Sequence, residues 1–346
     1  MITTRSPALD EWSLSATLQE ELLAATQASE LIAGPRVQRL WSGYGEIRRV
    51  VLRTAQGSRP IIVKIVRPHL RQTHRRGFES DFAHRRKLRS YAVEQRFYRD
   101  YASTCGTPQR DACRLPAALH SSEQNGELLL ALEDLDAAGF DQRRDACSLD
   151  EVRACLTWLS RFHARFMGTP PAGLWDVGTY WHLATRPDEL AAIGDHRLRA
   201  AAPVLDAILN RCQFQTLLHG DAKVENFCFS ASGAVSAVDF QYVGGGCGMK
   251  DVAYLLSSCL SAPQCAAHAE ALLGHYFAQL QQNLSWLHPL IDADAVIAEW
   301  QSLYPVAWAD FVRFLAGWAP DHYKLHAYSL AMTEQALAMS LHHTMV

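Results

Sequence analysis

The sequence contains no run approaching the ~18 consecutive apolar residues that a membrane-spanning helix needs. Its nine cysteines are scattered through 346 residues without a single C-x-x-C pair. That argues against zinc and dithiol motifs and leaves reduced thiols as the expectation. The opening residues, MITTRSPALDEWSL, lack a basic region followed by an apolar core, so no signal peptide is expected and the cytosol is the expected location. There is no internal repeat and no low-complexity segment. What is present is ordinary for a folded chain: 49% hydrophobic and 20% charged residues, which excludes wholesale disorder. The length exceeds the ~100–200 residues of one packed domain, so two lobes are expected.

Charge is divided along the chain. Residues 1–131 carry 20 lysines and arginines against 13 acids, and residues 132–346 carry 13 against 23. A basic first part and an acidic second part suit an anionic ligand on the first and a neutral or cationic one on the second. The basic run Arg67–Arg89, with Arg71, Arg75, Arg76, Arg85, Arg86 and Lys87, has no interleaved aromatics and sits in an acidic chain. It reads as a solvated helix face, not a nucleic-acid surface.

Hydrophobic patterning gives the architecture. An amphipathic helix is predicted over Leu14–Ile32, stopped by Gly34-Pro35. Strands are predicted at Val37–Trp41, Ile47–Arg53 and Ile61–Val66, with a turn over Thr54–Pro60. A helix follows with Tyr91, Phe97, Tyr98 and Tyr101, then strands at Leu115–Leu119 and Glu127–Leu132. After Glu133 helices dominate: Leu149–Met167, Asp188–Arg211, Asp251–Leu260 and three beyond Gln264. One β-rich island, between Thr216 and Tyr242, interrupts them. The fold class is α+β, with a small antiparallel-sheet lobe over 1–131, a connector near Leu132–Asp136, and a larger helical lobe over 132–346.

The chemistry concentrates in Leu217-Leu218-His219-Gly220-Asp221-Ala222-Lys223-Val224-Glu225-Asn226-Phe227, followed by Asp239-Phe240-Gln241. Phosphoryl transfer from ATP needs a carboxylate at the acceptor hydroxyl and Mg²⁺ on the phosphates. Asp221 fits the first requirement. Asn226 and Asp239 offer the hard oxygen ligands that Mg²⁺ prefers. At about 1 in 20 per fixed residue, H-G-D-x-x-x-x-N should arise by chance in roughly 2 of 1,000 chains of this length.

These motifs resemble the aminoglycoside phosphotransferase and choline kinase-like superfamily, which shares the protein-kinase fold. The H-G-D-x4-N and D-F-Q forms look most like its ecdysteroid-kinase-like branch. The resemblance runs from about Val37 to beyond Asp251 and is strongest between His219 and Asp251. It implies a bilobal protein-kinase-like fold, ATP and Mg²⁺ as cofactors, and a small-molecule hydroxyl as acceptor. Asp221 matches the catalytic base, and Asn226 and Asp239 match the metal ligands. Lys64, in Ile62-Val63-Lys64, matches the strand lysine on the α- and β-phosphates; the bland alternative is an edge-strand lysine reaching water. Its usual partner is a helix glutamate, here Glu94 in E-x-x-F-Y, with Glu79 the competing candidate. Gly43-Tyr44-Gly45 sits where the phosphate-covering hairpin belongs, although the third glycine of the protein-kinase pattern is replaced by Arg48. Backbone groups near Glu133 and Leu135 match the segment that binds the adenine edge.

Lys223, two residues after Asp221, stands where protein Ser/Thr kinases carry a lysine that meets the transferred phosphate. Asp251 matches a D-x-A-Y-x-L segment opening a helix and reads as support for the catalytic loop. His163 reads as a packed, hydrogen-bonded histidine. The absence of A-P-E and of the D-F-G glycine favours a small-molecule acceptor over a protein. Segments near Trp175–Trp181, Trp300–Trp308 and Trp318–Tyr323 are rich in aromatics and would form either the acceptor pocket or core. The expected activity is transfer of the ATP γ-phosphoryl group to a small-molecule hydroxyl. A nucleotide-binding regulatory protein without transfer is the alternative, and a protein-directed kinase a weaker one.

Overall fold

The structure, a computed structural model, describes Trp12 and residues 14–40, 43–68, 81–105 and 113–343. The opening residues 1–11, Ser42 of the hairpin, Glu79, and Arg71, Arg75 and Arg76 of the basic run lie outside the described residues. The chain divides into two compact units, residues 1–88 with 117–138, and residues 89–116 with 139–346.

The first unit is built on five antiparallel strands, β1 (Ala28–Arg39), β2 (Gly45–Thr54), β3 (Gly57–Val66), β4 (Ala118–Gln124) and β5 (Glu127–Glu133), in the order β1-β2-β3-β5-β4. Alternate residues of the three inner strands face one side: Val50 and Leu52, Ile61, Val63 and Ile65, Leu129 and Ala131. This two-residue period is what a half-buried sheet requires. Helix α1 (Ala16–Thr26) covers that face with Leu18 and Leu22.

The structure corrects the predicted helix over Leu14–Ile32. Gln27 turns left-handed at φ 54° and ends α1, and residues 28–32 enter β1. Pairing with β2 across Leu31↔Leu52 and Ile32↔Val51 overrides the local helical pattern. Gly34-Pro35 falls in a register shift of this edge strand, where a missing N–H is tolerated. Two of the sheet's hairpins are tighter than the sequence suggests. The β2–β3 link is Ala55-Gln56 alone. The β4–β5 link is Asn125-Gly126, both at positive φ, which is hairpin chemistry of the I′ kind.

Among the described residues the second unit holds the last twelve residues of α2 (Asp81–Asp100) and seven further helices: α3 (Leu149–Arg165), α4 (Pro187–Ala192), α5 (His196–Asn210), α6 (Met249–Cys259), α7 (Ala262–Leu287), α8 (Ala293–Trp318) and α9 (Ala327–His343). Helix α3 opens with a capping box, Ser148 and Glu151 each satisfying the other's backbone N–H. The predicted helix over Asp188–Arg211 is two helices, because Asp195 accepts from Arg197 N and Leu198 N and starts α5 afresh. The β-rich island is two ribbons: β6 (Thr216–Leu218) pairs with β9 (Gly244–Gly246), and β7 (Phe227–Phe229) with β8 (Val235–Ala237). Trp181, Trp300 and Trp308 are fully buried, so these tryptophans are core. Among the described residues no helix is long and apolar enough to cross a membrane.

Candidate active site

The two ribbons set out the motif residues. His219-Gly220-Asp221 leaves β6, a single 3-10 turn over Val224–Asn226 leads into β7, and Asp239 follows β8. Asp251 in the first turn of α6 holds the first of these segments. Its fully buried carboxylate accepts from His219 N at 2.6 Å and Gly220 N at 3.0 Å, and lies 3.1 Å from His163 Nε2. His163 in turn meets the Tyr276 hydroxyl through Nδ1 at 2.8 Å. His219 faces Val238 O with Nε2 at 3.0 Å and accepts the Asp221 N–H on Nδ1. One neutral tautomer satisfies both bonds, and burial lowers the His219 pKa in the same direction.

Gly220 has φ 79°, and a Cβ there would lie 2.0 Å from Tyr242 O, so only glycine passes. Its carbonyl accepts from Tyr180 N at 3.1 Å. The preceding Thr179 is buried at φ 100°, a costly position for a β-branched residue. Strain of this kind gathers at functional sites.

Asp221 is buried. Oδ2 accepts from Asn226 Nδ2 at 3.0 Å and lies 3.5 Å from Lys223 Nζ. Oδ1 is buried without a hydrogen-bond partner. Burial pushes this carboxyl up to about 6, and the Asp239 charge adds to the rise. Lys223 and hydrogen bonds from Asn226 and Tyr254 oppose it. Burial depresses the Lys223 ammonium, but Asp221, Asp239 and Glu225 together leave its pKa raised. Asp221, Lys223, Asn226 and Asp239 are therefore brought together in the second unit.

Asp239 is half-buried at φ 68°, and its Oδ1 accepts from Gln241 Nε2 at 2.5 Å. Gln241 in turn accepts from Ser90 Oγ at 3.2 Å. Phe240 is stacked on Phe97 with ring centroids 4.3 Å apart and lies tilted against His219 at 4.7 Å. The Asn226 amide N–H₂ donates to Asp221 main-chain O at 2.8 Å and to its carboxylate, leaving the amide oxygen for another partner. An amide oxygen beside a carboxylate suits Mg²⁺. Among the described residues no three His, Cys, Asp or Glu side chains converge on a metal position, so a cation here would complete its shell with other oxygens.

The remaining motif residues divide between the units. Lys64 is buried on β3, the middle strand, paired with Ile47 and Leu130, not on an edge. Glu94 is buried on the part of α2 that belongs to the second unit, not solvated on a surface. Gly43 and Gly45 form the β1–β2 turn at φ 73° and 145°, and a Cβ on Gly45 would lie 1.9 Å from Ile65 O. Arg48 is buried beside them, reaching Gly34 O at 2.9 Å and Glu46 at 3.0 Å. Glu133 ends β5 with its N–H donated to Ala117 O, and Leu135 is buried just beyond. Between them Asp134 is clasped by Arg49 at 2.5 and 3.2 Å, and the same guanidinium reaches Asp136. These carboxylates raise the Arg49 pKa against the effect of burial.

His219 to Asn226, Asp239 and Asp251 all lie in the part of the chain that matches a known family. Residues 183–288 match the ecdysteroid kinase-like family. Among solved structures, a microcompartment-associated aminopropanol kinase aligns over 94% of this chain and 98% of its own, with a TM-score of 0.50 and 14% identity. An amicoumacin kinase aligns over 94% of each chain at a TM-score of 0.46 and 16% identity. A choline kinase from Streptococcus pneumoniae aligns over 94% and 98% at 0.41 and 14%. No curated protein matches the chain. The ecdysteroid kinase-like segment is thus set in a protein-kinase-like fold, α+β, as the motifs imply.

Sequence reading missed three groups around the loop from His219 to Asn226. Thr179 and Tyr180 back onto Gly220 through the chain, and nothing in their residue types announces it. Lys324 is buried with its ammonium over the ring of Tyr254, the tyrosine that reaches Asp221. It lies one residue past the aromatic stretch Trp318–Tyr323, and an isolated lysine in a turn carries no motif.

Proposed function

We propose that this chain is a small-molecule kinase that transfers the γ-phosphoryl group of ATP to a hydroxyl of a small-molecule acceptor. One observation supports this above the others: a buried carboxylate, Asp221, with one oxygen uncommitted, sits with a lysine, an amide and a second carboxylate on two adjoining loops. Asp221 is the catalytic base. Its raised pKa, about 6, leaves it ionised at neutral pH and close enough to that pH to take a proton late in the reaction. The acceptor oxygen bonds to phosphorus as the bond to the departing ADP oxygen breaks, and the hydroxyl proton passes to the Asp221 carboxylate. The transition state is loose, so much of this role is orientation.

Lys223 neutralises charge on the transferred group. Asn226 and Asp239 are the residues that would hold Mg²⁺, which when bound offsets the charge of the phosphates. Lys64, Glu94, Gly43, Gly45 and the backbone at Glu133 and Leu135 are assigned to nucleotide binding. The decisive experiment incubates the protein with ATP, Mg²⁺ and a metabolite library and reads mass gain of one phosphoryl group. Transfer that disappears in Asp221→Asn while ATP binding persists is the expected result. Transfer retained by Asp221→Asn overturns the role of Asp221. ATP binding with no transfer to any alcohol favours a regulatory nucleotide-binding protein.

A further inference from the structure

Residues 319–326 connect α8 to α9, and Lys324 is their buried member. Its Nζ lies 4.7 Å from the centroid of the Tyr254 ring, 5.7 Å from Phe311 and 5.9 Å from Tyr323. Tyr254 and Phe311 pack edge to face at 4.9 Å and form the buried walls. Tyr323 is 71% exposed and forms the outer one. Three aromatic faces around one ammonium make a cation–π cage, the device by which proteins hold organic cations. Here the cation belongs to the chain itself. Among the described residues no carboxylate lies within ion-pair distance of Lys324 Nζ, and no protein acceptor takes a hydrogen bond from it. A lysine ammonium has three donors to place. The charges that act on it most are those of Glu225, Asp221 and Lys223, and Tyr254 also reaches Asp221.

We propose that Lys324 is a specificity-determining residue: its ammonium fills the cage of Tyr254, Phe311 and Tyr323 beside Asp221, so the site refuses organic cations and takes neutral or anionic hydroxyl compounds that offer oxygen acceptors to the ammonium. This deepens, and rests on, the reading of Asp221 as the base. An organic cation entering here meets a like charge on rings already engaged. A carboxylate, carbonyl or sugar oxygen meets donors that the protein leaves uncommitted, close to where the reacting hydroxyl would stand.

The test measures choline and tetramethylammonium binding by calorimetry, without nucleotide, to the full chain and to Lys324→Ala and Lys324→Arg. Wild type and Lys324→Arg should show no saturable binding. Lys324→Ala empties the cage and should gain affinity for both probes by about tenfold or more, the scale of a desolvated cation–π contact. Choline binding by wild type as tight as by Lys324→Ala overturns the proposal. So does a folded Lys324→Ala, checked by circular dichroism, that binds neither probe. The wild-type measurement stands even if Lys324→Ala does not fold. The two readings fail separately. ATP-dependent transfer together with choline binding by wild type would remove the cage and leave the kinase. Absence of transfer to any alcohol, with choline binding that follows Lys324, would do the reverse.

Discussion

Replacing Asp251 by alanine should destabilise the second unit far more than an average substitution does. The side chain is fully buried and accepts from two backbone N–H groups, at 2.6 and 3.0 Å, and from the imidazole of His163 at 3.1 Å. Alanine leaves three buried donors without a partner, at about 1–3 kcal/mol each. Against this, the carboxylate's own desolvation is relieved, which returns part of the loss. The net expectation is about 3–5 kcal/mol, comparable with breaking other buried charged pairs. Set against a total stability of about 5–15 kcal/mol, that is a large fraction. Urea denaturation followed by circular dichroism reads it as a lowered midpoint with an unchanged slope. Asp251→Asn should fall between, since the amide keeps one acceptor but turns N–H₂ toward a donor. An Asp251→Ala protein within about 1 kcal/mol of wild type would refute the reasoning, because the two backbone bonds would then be replaceable by water.

Two further outcomes follow from the geometry. Asp221 has its folded pKa raised from 3.8 to about 6, so the folded state holds the extra proton and stability falls as pH rises through that window. Asp221→Asn should therefore be more stable than wild type at pH 7, on the order of 1–3 kcal/mol, while transfer by wild type climbs as pH passes about 6; a pH series of denaturation and rate measurements checks both, and equal stability at pH 7 counts against the raised pKa. Gly45→Ala puts a Cβ against Ile65 O at a φ of 145° and should cost the first unit about 1–3 kcal/mol or more, read as a lower melting temperature.

The sequence carried the site better than it carried the turns. The loop from His219 to Asn226 and the later Asp239 are legible because their chemistry needs fixed residue types at fixed intervals. The inner strands are legible because Val50, Leu52, Ile61, Val63 and Ile65 alternate. The start of β1 is not, since Glu30, Leu31 and Ile32 suit a helix locally and become a strand only by pairing with β2. The break before α5 does have a signal, Gly194-Asp195, but an unbroken helical period across it hides the cap. Lys324 is illegible for a different reason. Its significance lies in three rings contributed by α6, α8 and the connection that carries it, and no short window of residues contains them.

All nine cysteines lie in the second unit as free thiols, and eight of them are buried. Only Cys147 is partly exposed, and a hydrogen bond from the Cys259 thiol lowers its pKa, so it should react first with an alkylating reagent. Six of the others stand in or beside α3, β7, β9, α5, α6 and α7, Cys105 follows α2 and Cys113 precedes β4, and each becomes reactive only when its segment opens. The protein thus carries a built-in set of opening reporters that needs no engineered label. Pulsed alkylation with peptide mass readout would rank the openings of the helical unit one element at a time, while the sheet-bearing unit stays silent.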